Sequence, residues 1–318
     1  MTRYSLTGLA VIGVLLIAAP FGLKSYGIYL MSMWLIYSAA AMGLNLTLGY
    51  AGQVSLAQAA FMGIGAYTTA ILMKLGVPFF YTFALAGVLC FLVGLLLGYP
   101  ALRVQHHFLA FVTLGFNALV WLVFRNEEWL TGGTYGLMGF PRPVWFGISM
   151  ASPARFYFFT LGIFVVLVAL MWWIVRSPWG RAFQALRENP VRADSLGVDI
   201  RGMTLLAFAI GSSYAGMAGA LFAPLVEFID PMSFTLTSSL KILLMVVVGG
   251  SGYFSGPILG ALLVILLPEW MRFSEGLYLM LYSALVIILM AFCPSGLFGL
   301  ADRAMTWYRA RQPGGKPA

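Results

Sequence analysis

Charge is scarce in this sequence: only 9% of its 318 residues are Asp, Glu, Lys or Arg. Soluble globular domains carry about a quarter, so that class is excluded. The two cysteines, Cys90 and Cys293, each lie inside an apolar run, which rules out both a disulfide framework and a metal-ligand spacing. The two histidines, His106 and His107, are adjacent, so their rings point in different directions and make a poor ligand pair. None of the lysines Lys24, Lys74, Lys241 and Lys316 sits in a GKS or GKT context, so the chain lacks a Walker A loop and is not expected to bind ATP itself. HExxH, GxSxG and paired carboxylates within apolar runs are also missing. An intramembrane enzyme therefore has little to work with, and the expectation is a protein with no catalytic residue, cofactor or metal of its own.

What is present is apolar: 61% hydrophobic residues and a mean hydropathy of +0.93. These values predict an all-α polytopic membrane protein, one transmembrane domain over residues 1–318 with about ten transmembrane or re-entrant helices. The expected spans are Leu6–Leu23, Ile28–Leu48, a glycine- and alanine-rich segment from Gly49, Phe79–Tyr99, Phe108–Phe124, Arg155–Val175, Thr204–Leu225, Leu236–Val248, a run ending at Leu267, and Leu277–Phe292. Leu236–Val248 is short and either spans or re-enters. The net charge of +8 is spread over loops beside apolar runs, which fits the positive-inside rule better than a nucleic-acid surface. The rule puts Arg3, Arg103, the loop 176–202 and the tail 301–318 in the cytoplasm of a bacterial inner membrane. It puts the loop 125–154, Glu227, Asp230, Glu269 and Glu275 outside.

The loop 176–202 is the longest stretch that cannot lie in lipid. Ser177-Pro178 and Asn189-Pro190 are helix starts, and Gly197 is a stop, so two short helices are predicted. In the first, Trp179, Ala182, Phe183 and Leu186 recur at i, i+3, i+4 and i+7, an apolar stripe fit for docking, with Arg181 and Arg187 largely off it. A surface loop resting on its own helices or on lipid headgroups is the competing reading.

Two glycine-rich breaks, Gly49–Gly52 and Gly249–Gly256, interrupt apolar segments. Unwound backbone at membrane depth survives only inside protein or along a cavity, so both are candidate walls of a translocation path, with close helix packing as the alternative. Gln53, Ser55, Gln58, Thr113 and Ser251 are the polar side chains in or near that path, able to bond a small polar solute or to bond helix to helix. Lys241, the one charge inside a span, sits where it can snorkel to the interface.

Four blocks in this order carry a family resemblance: GLNLTLGYAGQVSLAQAAFMGIGAYTTAIL from Gly43, TGGTYGLMGFPRP from Thr131, RSPWGRAFQALRENPVRADSLGVDI from Arg176 and VVVGGSGYFSGPILGALL from Val246. Together they resemble the permease subunits of branched-chain amino-acid ABC importers, the LivM type that pairs with LivH. The resemblance implies a second, LivH-like permease, two cytoplasmic ATPases (LivG- and LivF-like) that bind the ATP, and a periplasmic binding protein delivering a branched-chain amino acid or a related small solute. Urea and other amides use similar permeases, and an ATP-independent secondary transporter or channel is the alternative of another class. The loop 176–202 corresponds to the family's coupling region and resembles the EAA loop, keeping only Ala193 and Gly197 in recognisable context. Trp179, Arg181, Phe183, Leu186 and Arg187 are then the expected contacts with the ATPase: the arginines pair with carboxylates, and the apolar side chains fill a groove. The loop Thr131–Pro143 is expected to receive the binding protein.

Overall fold

Which helices form the centre of the bundle is decided by small residues rather than by hydropathy. The computed structural model describes residues 16–101, 108–145 and 147–270, together with Gly296 and Gly299. Over these the chain forms α1 (Ser25–Asn45), a π-helical turn (Leu46–Tyr50), α2 (Gln58–Lys74), α3 (Phe79–Ala101), α4 (Phe108–Asn126), the one-turn α5 (Glu128–Thr131), α6 (Pro153–Arg176), α7 (Pro178–Glu188), α8 (Pro190–Ser195), α9 (Ile200–Val226), α10 (Leu236–Gly249) and α11 (Gly256–Trp270). Four two-residue strands pair antiparallel, β1 (Leu137–Met138) with β4 (Phe228–Ile229) and β2 (Val144–Trp145) with β3 (Ile148–Ser149).

Among the described residues, five helical segments are long and apolar enough to cross a bilayer. Of their most apolar stretches, 67% is buried for the segment containing α1 and 72% for α9, against 22–33% for α3, α4 and α6, so the first two form the centre and the other three lie at the periphery. Lipid offers no hydrophobic gain for helix pairing, so close packing must hold the centre together. On α9, a methyl at Gly211 would stand 2.7 Å from the Gly43 carbonyl oxygen of α1, one at Gly216 2.7 Å from Cys90 Cβ of α3, and one at Gly219 2.7 Å from the Met62 carbonyl carbon of α2. Three neighbours thus approach one helix at backbone range.

The 27 residues of α9 span about 40 Å and separate two ends. At its start lie α7 and α8, the basic end. At its other end β4 pairs with β1 and Glu227 makes an ion pair with Arg142. Loop 125–154 and residues 227–230 therefore share one end, away from 176–202.

Most expected spans match. Of Leu6–Leu23, residues 16–22 are helical and 6–15 lie outside the described residues, as do Arg103, Leu277–Phe292 and the tail 301–318. The segment from Gly49 differs: after the π turn the chain runs non-helically through 51–57, and helix resumes only at Gln58. Helix α10 has 14 residues, about 21 Å, less than the roughly 30 Å hydrocarbon core. It does not turn back. It starts from Phe234, packed against Tyr67, Phe124 and Phe222 with ring centroids 5.8–6.2 Å apart, and ends at the turn 250–255, which touches Gly49 at the basic end. The loop 227–235 covers the missing depth, with Phe234 buried.

Candidate functional site: two helix breaks that meet

Helix α2 starts inside the bundle, and its free N–H groups must find partners there. Its N-cap, Ala57, has no side chain to offer. Other segments supply the acceptors: Thr113 Oγ1 of α4 accepts from Leu56 N at 3.0 Å, Asn117 Oδ1 of α4 from Ala60 N at 3.0 Å, and Ser239 Oγ of α10 from Ala59 N at 2.9 Å. Ser239 Oγ also donates to Asn117 Oδ1 at 3.2 Å. Ser55 Oγ accepts from Ala57 N at 3.4 Å, and Gln58 Nε2 donates to the carbonyls of Ala40 (2.9 Å) and Gly211 (3.3 Å) on α1 and α9. Gln53 Nε2 reaches Thr204 O at 3.4 Å, while its Oε1 is buried with no partner.

The structure therefore gathers Gln53, Ser55, Gln58 and Thr113 around the start of α2, where all four side chains bond backbone. Ser251 lies apart from them, part-buried in the turn 250–255. Asn117, Ser239 and Asn45 complete the set and were not anticipated as site residues. The signal for them is a lone Asn or Ser on an apolar helix, which has meaning only once a facing helix end is known.

The second half of the site joins the two glycine breaks, which are 200 residues apart in sequence. Asn45 Nδ2 donates to Tyr253 O at 3.0 Å and its Oδ1 accepts from Gly252 N at 2.9 Å, so the last residue of α1 is tied into the turn between α10 and α11. Gly252 takes φ +87° and Gly250 φ +114°, left-handed conformations that favour glycine. Arg187 of α7 donates through Nη1 to Gly49 O. Trp172 of α6 stacks edge-on against Phe254 of the same turn at 5.0 Å, with the Arg176 guanidinium 3.8 Å from its ring centre.

The loop 176–202 folds as two helices, as its sequence signals require. Asn189 caps α8 by accepting from Arg192 N at 3.1 Å, and Gly197, φ +82°, ends it. Ser177 does not cap α7; its hydroxyl turns back to Ile174 O at 2.6 Å and satisfies the end of α6 instead. Phe183 (0% exposed) and Leu186 (5%) are covered by this chain's own core and seat α7 on the bundle. Ala193 is buried too, whereas Trp179, Arg181, Arg187, Val191 and Leu196 remain exposed.

A lipid-immersed bundle with helix breaks joined at one end and polar side chains bonding backbone inside it has the architecture of a membrane permease. A family model described as "Branched-chain amino acid transport system / permease component" matches residues 26–293. The chain belongs to that family, whose members are transport subunits rather than enzymes, and it is a multi-pass protein of the inner membrane. Among relatives, the high-affinity branched-chain amino acid transport system permease protein LivM of Escherichia coli (strain K12) is 37% identical over 309 residues, covering 89% of this chain and 72% of that protein. The LivM protein of Salmonella typhimurium (strain LT2) is 36% identical over the same shares. The autoinducer 2 import system permease protein LsrC of Escherichia coli O9:H4 (strain HS) is 27% identical over 291 residues, 84% of this chain and 82% of that protein. No solved structure matches.

Proposed function

We propose that this chain is the membrane half of an ATP-driven importer for branched-chain amino acids or a closely related small solute. The observation that carries the reading is the seated α7–α8 pair at the basic end. Its inner face is fixed by Phe183, Leu186 and Ala193, while Trp179, Arg181, Val191 and Leu196 stand exposed. In this reading the pair is cytoplasmic and docks one of two separate ATPase subunits, because the sequence has no nucleotide loop of its own. A second, LivH-like permease completes the membrane part. The 125–154 loop then faces the periplasm, where Tyr135 (82% exposed) and Met138 (61%) are free to meet a binding protein.

The solute assignment follows the LivM relatives. The LsrC relative favours a second reading, a different small polar solute carried by the same kind of machine. In this reading Gln53, Ser55, Gln58, Thr113 and Ser251 lie in or near the path, where Gln53 Oε1 is buried with no partner of its own. Gentle solubilisation of the tagged chain from its native membrane is the test: co-purification with two ATPases and a second permease is expected. Recovery of the chain alone would overturn the ATP-driven reading in favour of a carrier or channel. Leucine bound to the cognate binding protein is the expected outcome for the solute.

A further inference from the structure

Arg187 touches both helix breaks from a third element. Besides its bond to the Gly49 carbonyl, Arg187 lies 3.4 Å, through Cα and Cγ, from where a methyl on Gly52 would stand, and its guanidinium carbon lies 3.3 Å from a methyl placed on Gly252. Chemistry explains the attraction: the end of a helix leaves carbonyl groups unpaired and carries partial negative charge, which a guanidinium satisfies with several donors at once. Asn45 closes the same junction from α1. At its other end Arg187 belongs to α7, which has little freedom of its own, with Phe183 and Leu186 buried and Gly180 packed on the Val175 backbone. Arg187 as a whole remains an exposed residue.

We propose that Arg187 is the positioning residue that carries movement of the docking helix α7 into the two broken helices, holding Gly49 and Gly252 to α7 so that both breaks shift together with it. This rests on the importer reading above. An arginine that only paired with a partner's carboxylate would not need to reach Gly49, and one that only filled space would not need its charge.

The test uses the assembled transporter in nanodiscs, with Cys90 and Cys293 replaced by alanine and nitroxides on cysteines introduced at Leu196 of α8 and Ser251 of the turn. With Arg187 present, the distance between the labels is expected to stay constant between the nucleotide-free and the ATP-vanadate states. In Arg187→Met it is expected to become nucleotide-dependent, while ATPase subunits remain bound and hydrolysis continues. In proteoliposomes with the binding protein, leucine taken up per ATP is expected to fall about tenfold or more, in the range of coupling energies between linked elements. Arg187→Lys is expected to be intermediate, since an ammonium can still donate to the Gly49 carbonyl but lacks the planar guanidinium that also lies against Gly252.

A constant label distance in Arg187→Met, or loss of ATPase subunits from a normally inserted variant, would overturn the proposal. Should Arg187→Met fail to accumulate, Asn45→Ala loosens the same junction from α1 and is expected to make the label distance nucleotide-dependent; a constant distance there would overturn it equally. Absence of ATPase subunits from the unaltered chain would instead sink the importer reading.

Discussion

Asn117→Ala tests whether α2 is held at its start by side chains from other helices. Asn117 is 1% exposed and its Oδ1 accepts two bonds, from Ala60 N and from Ser239 Oγ. Truncation orphans one backbone N–H in a water-free interior, which costs about 1–3 kcal/mol, and the vacated amide adds a small cavity. Interhelical bonds inside membranes average closer to about 0.6 kcal/mol, because the unfolded segments find partners too. The Ser239 hydroxyl can rotate to a carbonyl of its own helix, so its loss adds little. The expected cost is therefore about 1–2 kcal/mol, read as a lowered midpoint in detergent-denaturation of the purified chain. Ser239→Ala orphans Ala59 N and is expected to cost a similar amount. The double variant should cost less than the two summed, by about 0.5 kcal/mol or more, because Asn117 and Ser239 share one network. An Asn117→Ala variant within about 0.5 kcal/mol of the wild type would refute the capping argument.

Three further outcomes follow from the packing. Phe183→Asp buries a charge beneath α7 and should destabilise the chain itself by about 3 kcal/mol or more, visible in thermal unfolding without any partner, whereas Trp179→Ala and Arg181→Glu should leave stability nearly unchanged and lower ATPase co-purification. Gly219→Leu drives a side chain into the Met62 carbonyl, and separating α9 from α2 should cost about 3 kcal/mol or more, measured as loss of folded chain in the membrane fraction. Arg142→Ala removes an ion pair at the surface and should cost no more than about 1 kcal/mol, with the difference from wild type shrinking as salt is added to the unfolding assay.

Much of the fold is legible in the sequence because lipid imposes simple rules on it. Apolar length marks spans such as Arg155–Val175, prolines mark the starts of α7 and α8, and Gly197 marks the end of α8, all from local chemistry. The start of α2 is less legible. Gly49–Gly52 marks a break in the apolar run but not its length: helix gives way to non-helical chain over 51–57, where Thr113, Asn117 and Ser239 stand ready to accept the free N–H groups. Those acceptors come from helices 57 to 180 residues away, so no window on the sequence contains both partners.

The same distinction governs the loop 176–202. Sequence alone determined that it holds two short helices, that the first is amphipathic, and that the chain cannot bind nucleotide through a Walker A loop, since each of these depends on neighbouring residues. It could not decide which way the amphipathic face turns, because an apolar stripe fits a partner's groove and the chain's own core equally well. Tertiary structure turned Phe183 and Leu186 inward, left Trp179 and Arg181 outside, and brought Gly49, Gly252 and Arg187 to one point. The physical reason is that a break in a buried helix leaves carbonyl and amide groups in a medium without water, and only the assembled bundle can supply Asn45 and Arg187 to meet them.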